Sequence, residues 1–309
     1  MYDIIILGAG PAGLSAGLYA GRSKLNTLII EKNIPGGQIA TTASVENYPG
    51  SIDDATGMGL SDRMYEQAKE YCEFLTTNVT DVDLEGDVKK VYTEDGKVLE
   101  AKVIIVSTGA SHRKLEAKGE DTFANMGVSY CATCDGPFFT GLDIFVVGGG
   151  DSALEEALYL TKFAKSVTVI HRRDEFRASQ VVVDKINENE KIKLVLDSVV
   201  NEIKGDKEAK SVIVENVKTG ELTELKNEDD EPIGVFIFVG YIPQTKIFEG
   251  KLNMNYGYII TDEDMKTNVE GVFAVGDTRQ KSVRQMVTAT GDGCVAAVLA
   301  NRYLEGQAW

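Results

Sequence analysis

The chain is poor in the residues that bind metals or cross-link small folds. Its 309 residues include four cysteines, two histidines and one tryptophan. A structural zinc site needs four ligands, usually supplied as a second Cys-x-x-Cys or as a His pair. Cys72 and Cys294, like His112 and His171, form no such spaced pair. We therefore expect no metal site.

Positive charge and long apolar runs are also scarce. There are 32 Lys and Arg against 48 Asp and Glu, a formal charge of -16, which argues against nucleic acid as a partner. Apolar runs such as Val103 to Val106 are far shorter than the roughly 18 residues that span a bilayer. The first strand begins at Tyr2 without a basic stretch or cleavage site. We expect no secretory signal, no membrane segment and a cytoplasmic protein.

What is present is a repeated plan of strand, glycine-rich turn, helix and second strand. With 43% hydrophobic residues the chain can bury two cores. The first copy reads as Tyr2 to Leu7, Gly8 to Gly13, Leu14 to Gly21 and Thr27 to Ile30. The second reads as Ile144 to Val147, Gly148 to Ala153, Leu154 to Phe163 and Val167 to Ile170. The repeat predicts an α/β fold with two Rossmann-like nucleotide-binding domains, the FAD/NAD(P)-binding fold.

Each copy continues with alternating segments that predict further strands and closes on an apolar strand. In the first copy these are Val79 to Leu84, Lys89 to Thr93, Val98 to Ala101 and Val103 to Gly109. In the second they are Lys193 to Ile203, Ser211 to Lys218, Leu222 to Lys226 and Val235 to Gly240. The segment after Tyr241 is too short for a third domain. We predict a discontinuous first domain, 1–112 with 242–309, and a second, 113–241, inserted into it.

The first glycine turn has the context of a dinucleotide site. Gly8 permits the tight turn, Gly10 lets the backbone approach a pyrophosphate, Gly13 allows helix and strand to pack, and Glu31 can accept from ribose hydroxyls. A glycine turn without a ligand is the alternative. The motif does not separate FAD from NAD, but Gly276-Asp277 after a later strand could hold a second part of an extended ligand. We therefore predict FAD.

The second glycine turn is followed by basic residues where an NAD site carries an acid. His171, Arg172 and Arg173 occupy the end of the second strand, and Arg177 follows. Basic side chains there suit a 2′-phosphate, which predicts NADPH. The alternative is a solvated basic face.

Between the two turns lies Cys131-Ala132-Thr133-Cys134, followed by Asp135. In a reducing compartment such a pair is more often catalytic than structural. A nearby carboxyl group that gives and takes protons suits a dithiol that cycles, which makes Asp135 the candidate acid. Its alternative role is that of a turn residue before Gly136.

The chain resembles the bacterial low-molecular-weight thioredoxin reductases along its full length. The matching stretches are Gly8 to Gly13, Gly36-Gly37-Gln38, Glu46 to Gly50, Cys131 to Gly136, Gly148 to Ala153, His171 to Ala178, and Gly276-Asp277 through Arg284-Gln285. The resemblance implies a homodimer that passes electrons from NADPH through FAD and a Cys131/Cys134 disulfide to thioredoxin.

The resemblance also implies the residues of each site. The catalytic set is Cys131, Cys134 and Asp135. For FAD we expect Gly8, Gly10, Pro11, Ala12, Gly13, Glu31, Gly37, Gln38, Asn47, Gly109, Gly276, Asp277, Arg284, Gln285 and Met286. For NADPH we expect Gly148, Gly150, Asp151, Ser152, His171, Arg172, Arg173 and Arg177.

Two alternatives remain for the function. A related flavoprotein disulfide reductase would use ferredoxin as donor or a glutaredoxin-like acceptor, although the second glycine turn and its arginines favour NADPH. A flavin-bound redox sensor would need neither the cysteine pair nor a second nucleotide site. Because the cysteine pair and the NADPH turn share the inserted domain, we also predict that this domain rotates about connections near 113–116 and 241–243.

Overall fold

A computed structural model describes residues 1–42, 45, 47–51, 56–227, 229 and 231–309. Glu46, which belongs to one of the matching stretches, lies outside the described residues. The chain divides into two compact units, the first formed by Met1–Ser111 with Ile242–Trp309 and the second by His112–Tyr241. His112 thus belongs to the second unit, whereas the sequence placed the boundary after it.

The elements follow in chain order. Up to the first connection they are β1 (Tyr2–Leu7), α1 (Pro11–Arg22), β2 (Thr27–Glu31), α2 (Gly57–Lys69), β3 (Glu73–Thr76), β4 (Val79–Asp83), β5 (Lys89–Thr93), β6 (Val98–Val106) and β7 (Ala110–His112). Next come β8 (Val128–Ser129), α3 (Ala132–Asp135), β9 (Asp143–Val147), α4 (Asp151–Leu160), β10 (Ser166–Ile170), α5 (Gln180–Glu188), β11 (Ile192–Val195), β12 (Ser198–Gly205), β13 (Ala209–Asn216), β14 (Leu222–Lys226) and β15 (Ile233–Ile237). The last are β16 (Tyr241–Pro243), β17 (Met254–Asn255), β18 (Tyr258–Ile259), β19 (Val272–Ala274) and α6 (Met286–Leu304).

The first unit is built on a parallel sheet with the order β3-β2-β1-β6, to which β19 adds beside β6. The strands β5 and β4 continue from β6 in antiparallel register. Continuous apolar runs form the central strands because both faces are covered, and Ile4, Ile5 and Ile6 are fully buried. The segments predicted as two strands from Val98 form the single strand β6.

Helices α1 and α6 pack closely in this unit. A Cβ added at Gly293 would lie 2.1 Å from the carbonyl oxygen of Ala12, and Ser15 Oγ donates to the carbonyl of Thr290 at 2.8 Å. Gly293 thus permits the backbone of a neighbouring helix to approach closely. Among the described residues, no helix combines the length and apolarity needed to cross a bilayer.

The second unit has a parallel sheet with the order β11-β10-β9-β15-β8 and a separate antiparallel sheet, β12-β13-β14. The sequence predicted one strand from Lys193 to Ile203, and that prediction is wrong. The chain leaves the parallel sheet after Val195, turns at Asp197 with φ of +51°, and enters the antiparallel sheet at Ser198. Apolar residues lie on both sides of the turn and only the pair Asp197-Ser198 separates them, so the segment reads as one strand.

Candidate active site

A disulfide joins Cys131 and Cys134 at the start of α3, with their Cα atoms 5.3 Å apart. The backbone N–H of Cys134 donates to Cys131 Sγ at 3.2 Å. Such a donor favours the thiolate form, which is the reactive one, once the bond is reduced. Within the described part of the chain, no three His, Cys, Asp or Glu side chains are grouped so that they could hold a metal ion.

Asp135 lies beside this disulfide in a half-buried position. Burial raises the pKa of its carboxyl group, and a hydrogen bond from Ser129 Oγ to Oδ2, 2.6 Å long, acts in the opposite direction. A carboxyl group with a raised pKa retains its proton closer to neutral pH and can serve as a general acid. The environment therefore suits the role predicted for Asp135.

The second glycine turn opens onto a cavity of about 810 Å³ within the second unit. The cavity lies at the carboxyl ends of β9 and β10, where dinucleotides bind in doubly wound sheets. Gly148 adopts φ of +152°, and a Cβ there would lie 2.5 Å from the carbonyl oxygen of Phe238. Asp151, at the start of α4, accepts from the backbone N–H of Ser179 at 2.8 Å and so links the turn to the segment before α5.

Four arginine and lysine residues line this cavity. Arg172 and Arg177 were predicted from the sequence; Arg113 and Lys114 were not. The latter two belong to the first connection and precede the turn by more than 30 residues, so no local pattern identifies them. Arg173 does not line the cavity, although it was predicted with Arg172.

His171 lies under the glycine turn. Its side chain is buried, its Nε2 is 3.2 Å from the carbonyl oxygen of Glu175, and its ring stacks on Phe176. A Cβ at Gly149 would lie 2.2 Å from His171 Nδ1, so the ring forms the support of the turn. Burial, together with the neighbouring arginines, lowers the pKa of His171. The lowered pKa favours the neutral form of the ring near neutral pH.

The first glycine turn is shaped by close backbone approach. Gly8 adopts φ of +108°, and a Cβ at Gly13 would lie 1.9 Å from the carbonyl oxygen of Gly8. At Gly10 the nearest atom to an added Cβ is 4.0 Å away, on Gly37, which leaves space beside the backbone. Glu31 Oε2 accepts from the N–H of Ala9 at 2.8 Å and holds the turn against β2.

Other residues predicted for the flavin lie in the same unit. Asn47 Nδ2 donates to Gln285 Oε1 at 3.3 Å, and Gln38 Nε2 donates to the carbonyl of Ala110. Pro11 and Ala12 open α1, Gly109 has φ of +71°, and Met286 is buried at the start of α6.

Gly276 and Asp277 follow β19, as predicted, and carry a polar group in need of a partner. Within the described residues, Asp277 Oδ1 and Arg284 Nε are buried without a hydrogen bond. Burial raises the pKa of Asp277, although Lys281, with its Nζ 3.6 Å from Oδ1, opposes that rise. Unsatisfied buried polar groups are costly, so these atoms fit the donors and acceptors of a bound polar ligand.

A buried ion network that the sequence did not predict holds this segment. Asp292 in α6 accepts from Arg279 Nε at 2.8 Å and Nη2 at 2.9 Å, from the N–H of Gly276 at 2.9 Å, and from Lys281 Nζ at 3.2 Å. The one available sequence signal is an acid between two glycines in a helix whose only other charged residue is Arg302. A charge there is buried only when paired.

Comparison with known proteins places these features in a class. The family model described as pyridine nucleotide-disulphide oxidoreductase matches residues 2–293. The chain belongs to this family, whose members use a flavin and a pyridine nucleotide.

Within the family the chain is similar to thioredoxin reductases. It is 50% identical to that of Peptoclostridium acidaminophilum, over 99% of this chain and 98% of the relative, and 45% identical to that of Bacillus subtilis, over 99% and 95%. The crystal structure of thioredoxin reductase from Streptococcus pyogenes matches with a TM-score of 0.93 at 47% identity, covering 99% of both chains. The predicted resemblance and fold class are confirmed.

Proposed function

We propose that the protein is an NADPH-dependent, FAD-containing thioredoxin-disulfide reductase. The observation that carries the proposal is the Cys131–Cys134 disulfide, with a half-buried acid beside it, in the same unit as a basic dinucleotide cavity. The relatives named thioredoxin reductase support thioredoxin as the acceptor. A flavin-bound sensor would need neither this cysteine pair nor a second nucleotide site.

FAD would be held in the first unit. Its pyrophosphate fits the open backbone at Gly10, and the buried Asp277 Oδ1 and Arg284 Nε offer an acceptor and a donor farther along an extended ligand. When bound, the flavin supplies the exchange of a hydride from nicotinamide for a pair of electrons that a disulfide can accept.

NADPH would be held in the second unit. The pyrophosphate fits the turn from Gly148 to Asp151, and Arg172 and Arg177 are available for the 2′-phosphate because neither has an ion pair with a described residue. Arg113 adds positive charge to the same cavity, whereas Lys114, which also lines it, is paired with Asp121. NADH, which lacks the phosphate, would leave these charges unused.

The cysteine pair carries the electrons out. In the reduced state one thiolate attacks the disulfide of thioredoxin, a mixed disulfide forms, and the second thiol resolves it as the Cys131–Cys134 bond closes again. Asp135 supplies and recovers the proton that these steps move. The second thiol is held close by the short helical turn of α3.

We further propose a cytoplasmic homodimer. Helix α6 exposes Val287, Val295 and Val298, with 45%, 37% and 36% of their surfaces accessible, at spacings that place them on one face. An exposed apolar face of this kind suits an interface with a second copy. Sedimentation of the protein and of Val295→Glu tests this: we expect a dimer and a monomer, respectively.

One experiment separates the candidate functions. The purified holoprotein is mixed anaerobically with NADPH or NADH while the flavin absorbance is followed, and thioredoxin, a glutaredoxin or reduced ferredoxin is then added. We expect bleaching with NADPH at far lower concentrations than with NADH, and turnover with thioredoxin. Absence of bleaching by NADPH, with bleaching by reduced ferredoxin, would overturn the donor, and turnover with glutaredoxin alone would overturn the acceptor.

The predicted domain rotation remains a proposal. Cross-linking the two units should stop thioredoxin reduction, whereas full turnover in the cross-linked protein would contradict the rotation.

A further inference from the structure

Ser129 is a buried hydroxyl close to the reactive groups, and the sequence analysis assigned it no role. It ends β8 at the edge of the parallel sheet and is 4% exposed. Its Oγ lies 2.6 Å from Asp135 Oδ2, 3.1 Å from the backbone nitrogen of Cys131 and 3.4 Å from the backbone oxygen of Cys131. One side chain thus contacts both the candidate acid and the backbone of a redox cysteine.

These contacts satisfy Ser129 in either protonation state of Asp135. A hydroxyl has one proton to donate and two lone pairs to accept with. While Asp135 is ionised, Ser129 donates to Oδ2 and accepts from the N–H of Cys131. When Oδ1 carries the proton, Oδ2 still accepts from Ser129, and Ser129 still accepts from the N–H of Cys131. No heavy atom has to move between the two states.

We infer that Ser129 is a positioning residue for the proton transfer by Asp135. It fixes Oδ2 and leaves Oδ1 as the oxygen that exchanges a proton with the dithiol. The inference rests on the proposed function for the role of Asp135, and it assigns to Ser129 the orientation of that carboxyl group.

The protons that move in one catalytic cycle show how often Asp135 changes its protonation state while Ser129 holds it. When the first thiolate breaks the acceptor disulfide, the released thiolate takes the proton of Asp135. Asp135 recovers a proton from the second thiol, which then breaks the mixed disulfide and closes the Cys131–Cys134 bond. The second released thiolate takes from water the proton that the attacking thiol had lost. Asp135 must therefore change its protonation state twice in each cycle.

Removal of the Ser129 hydroxyl should change the pKa of Asp135 in one direction. Burial raises the pKa of Asp135 and the Ser129 bond opposes this rise, so Ser129→Ala should raise that pKa further. An ionised Asp135 disfavours a nearby thiolate, which produces an inflection in thiol reactivity at the pH where Asp135 titrates. This inflection should move upward in Ser129→Ala by about one pH unit.

The test uses the holoprotein with its cysteine pair reduced by dithiothreitol, so it needs neither NADPH nor thioredoxin. The rate of alkylation by iodoacetamide on the peptide carrying residues 131–134 is followed by mass spectrometry from pH 4 to 10. We expect the shift in Ser129→Ala, the wild-type profile in Ser129→Thr, which keeps the hydroxyl, and in Asp135→Asn only the inflection that comes from the thiols themselves. Thr133→Ala, which removes a hydroxyl 3.5 Å from Cys131 Sγ, serves as matched control and should keep the inflection.

The double variant Ser129→Ala/Asp135→Asn decides between positioning and a general structural effect. If Ser129 acts through Asp135, its removal adds no shift in the Asp135→Asn background. An equal shift in both backgrounds, or a uniform change of rate without a shift, would overturn the inference. A wild-type profile in Asp135→Asn would overturn it as well. If only thioredoxin turnover failed, thioredoxin would not be the acceptor, and the alkylation profiles would still test the role of Ser129.

Discussion

The two glycine-rich turns share one backbone plan but differ in how the charges around them are used. In the first unit Arg279 and Lys281 are bound to the buried Asp292, which also fixes Gly276. In the second unit Arg172 and Arg177 have no ion pair with a described residue and line an open cavity. The first arrangement rigidifies its own segment, and the second keeps positive charge available. This difference suits a resident cofactor in one unit and a nucleotide that enters and leaves in the other.

A smaller difference lies in the turns themselves. The third glycine of the first turn, Gly13, lies so close to Gly8 that a Cβ would be 1.9 Å from its carbonyl oxygen. In the second turn Ala153 occupies the corresponding position and is 1% exposed, so a Cβ is accommodated there. The same plan therefore tolerates different packing of helix against strand.

The largest effect should come from Cys134→Ser, because it removes one of the two thiols that pass electrons to thioredoxin. This redox pair lies in the second unit. Thioredoxin reduction should fall by about 1,000-fold or more, as for loss of a nucleophile in a unit of cooperating residues. Flavin bleaching by NADPH serves as the control and should persist. Thioredoxin turnover close to wild type would contradict the assignment of the disulfide.

The next effect concerns the ion network of the first unit. Asp292→Asn leaves the half-buried Arg279 without its carboxylate and Lys281 with only its longer ion pair to Asp277, and should lower the free energy of unfolding by about 3 kcal/mol, measured by urea denaturation. Glu66→Gln removes an exposed ion pair with Lys69 and should cost under about 1 kcal/mol. Equal losses in the two variants would contradict the importance of the network.

The same network also predicts how the free energy of unfolding depends on pH in acid. Burial opposes ionisation of Asp292, but the hydrogen bonds from Arg279 and the charge of Lys281 outweigh it and lower the pKa of this carboxyl group. The folded pKa lies below the unfolded value of about 3.9, so the stabilisation is complete above that pH and is lost as the pH falls through the folded pKa. Acid unfolding curves should show this loss in the wild type and not in Asp292→Asn.

A third effect tests the open cavity. Arg172→Ala and Arg177→Ala should each raise KM for NADPH by about 10-fold or more, since a charge-assisted bond to phosphate is worth roughly 1.5–3 kcal/mol. KM for NADH should change little. Arg173→Ala is the matched control, because Arg173 does not line the cavity. An equally large effect in Arg173→Ala would show that net charge alone matters.

The smallest effect should distinguish two adjacent glycines. Gly149→Ala places a Cβ against His171 and should lower the stability of the second unit by about 1 kcal/mol in urea denaturation. Gly150 has no atom within 4 Å of an added Cβ, so Gly150→Ala should leave stability unchanged and raise KM for NADPH by crowding the pyrophosphate. The reverse pattern would contradict the assigned positions.

Much of the fold follows from local pattern. The strands β1 and β9 and the turns after them are predictable because a buried parallel strand is an apolar run and a tight turn requires glycine. The break between β11 and β12 is not predicted because only the short polar pair Asp197-Ser198 separates two apolar runs. At the sites, the cysteine pair and the arginines after β10 were visible because each group is contiguous in sequence.

The sequence by itself determined the two nucleotide turns, the redox pair and the class of chemistry, because glycine, cysteine and arginine act there through short-range geometry and charge. Tertiary structure alone decided which arginines face the cavity, that Arg113 and Lys114 join them, that Asp292 holds Gly276, and that Ser129 meets Asp135. These contacts depend on where strands end and helices pack, and their energies come from burial, which no short segment of sequence can specify.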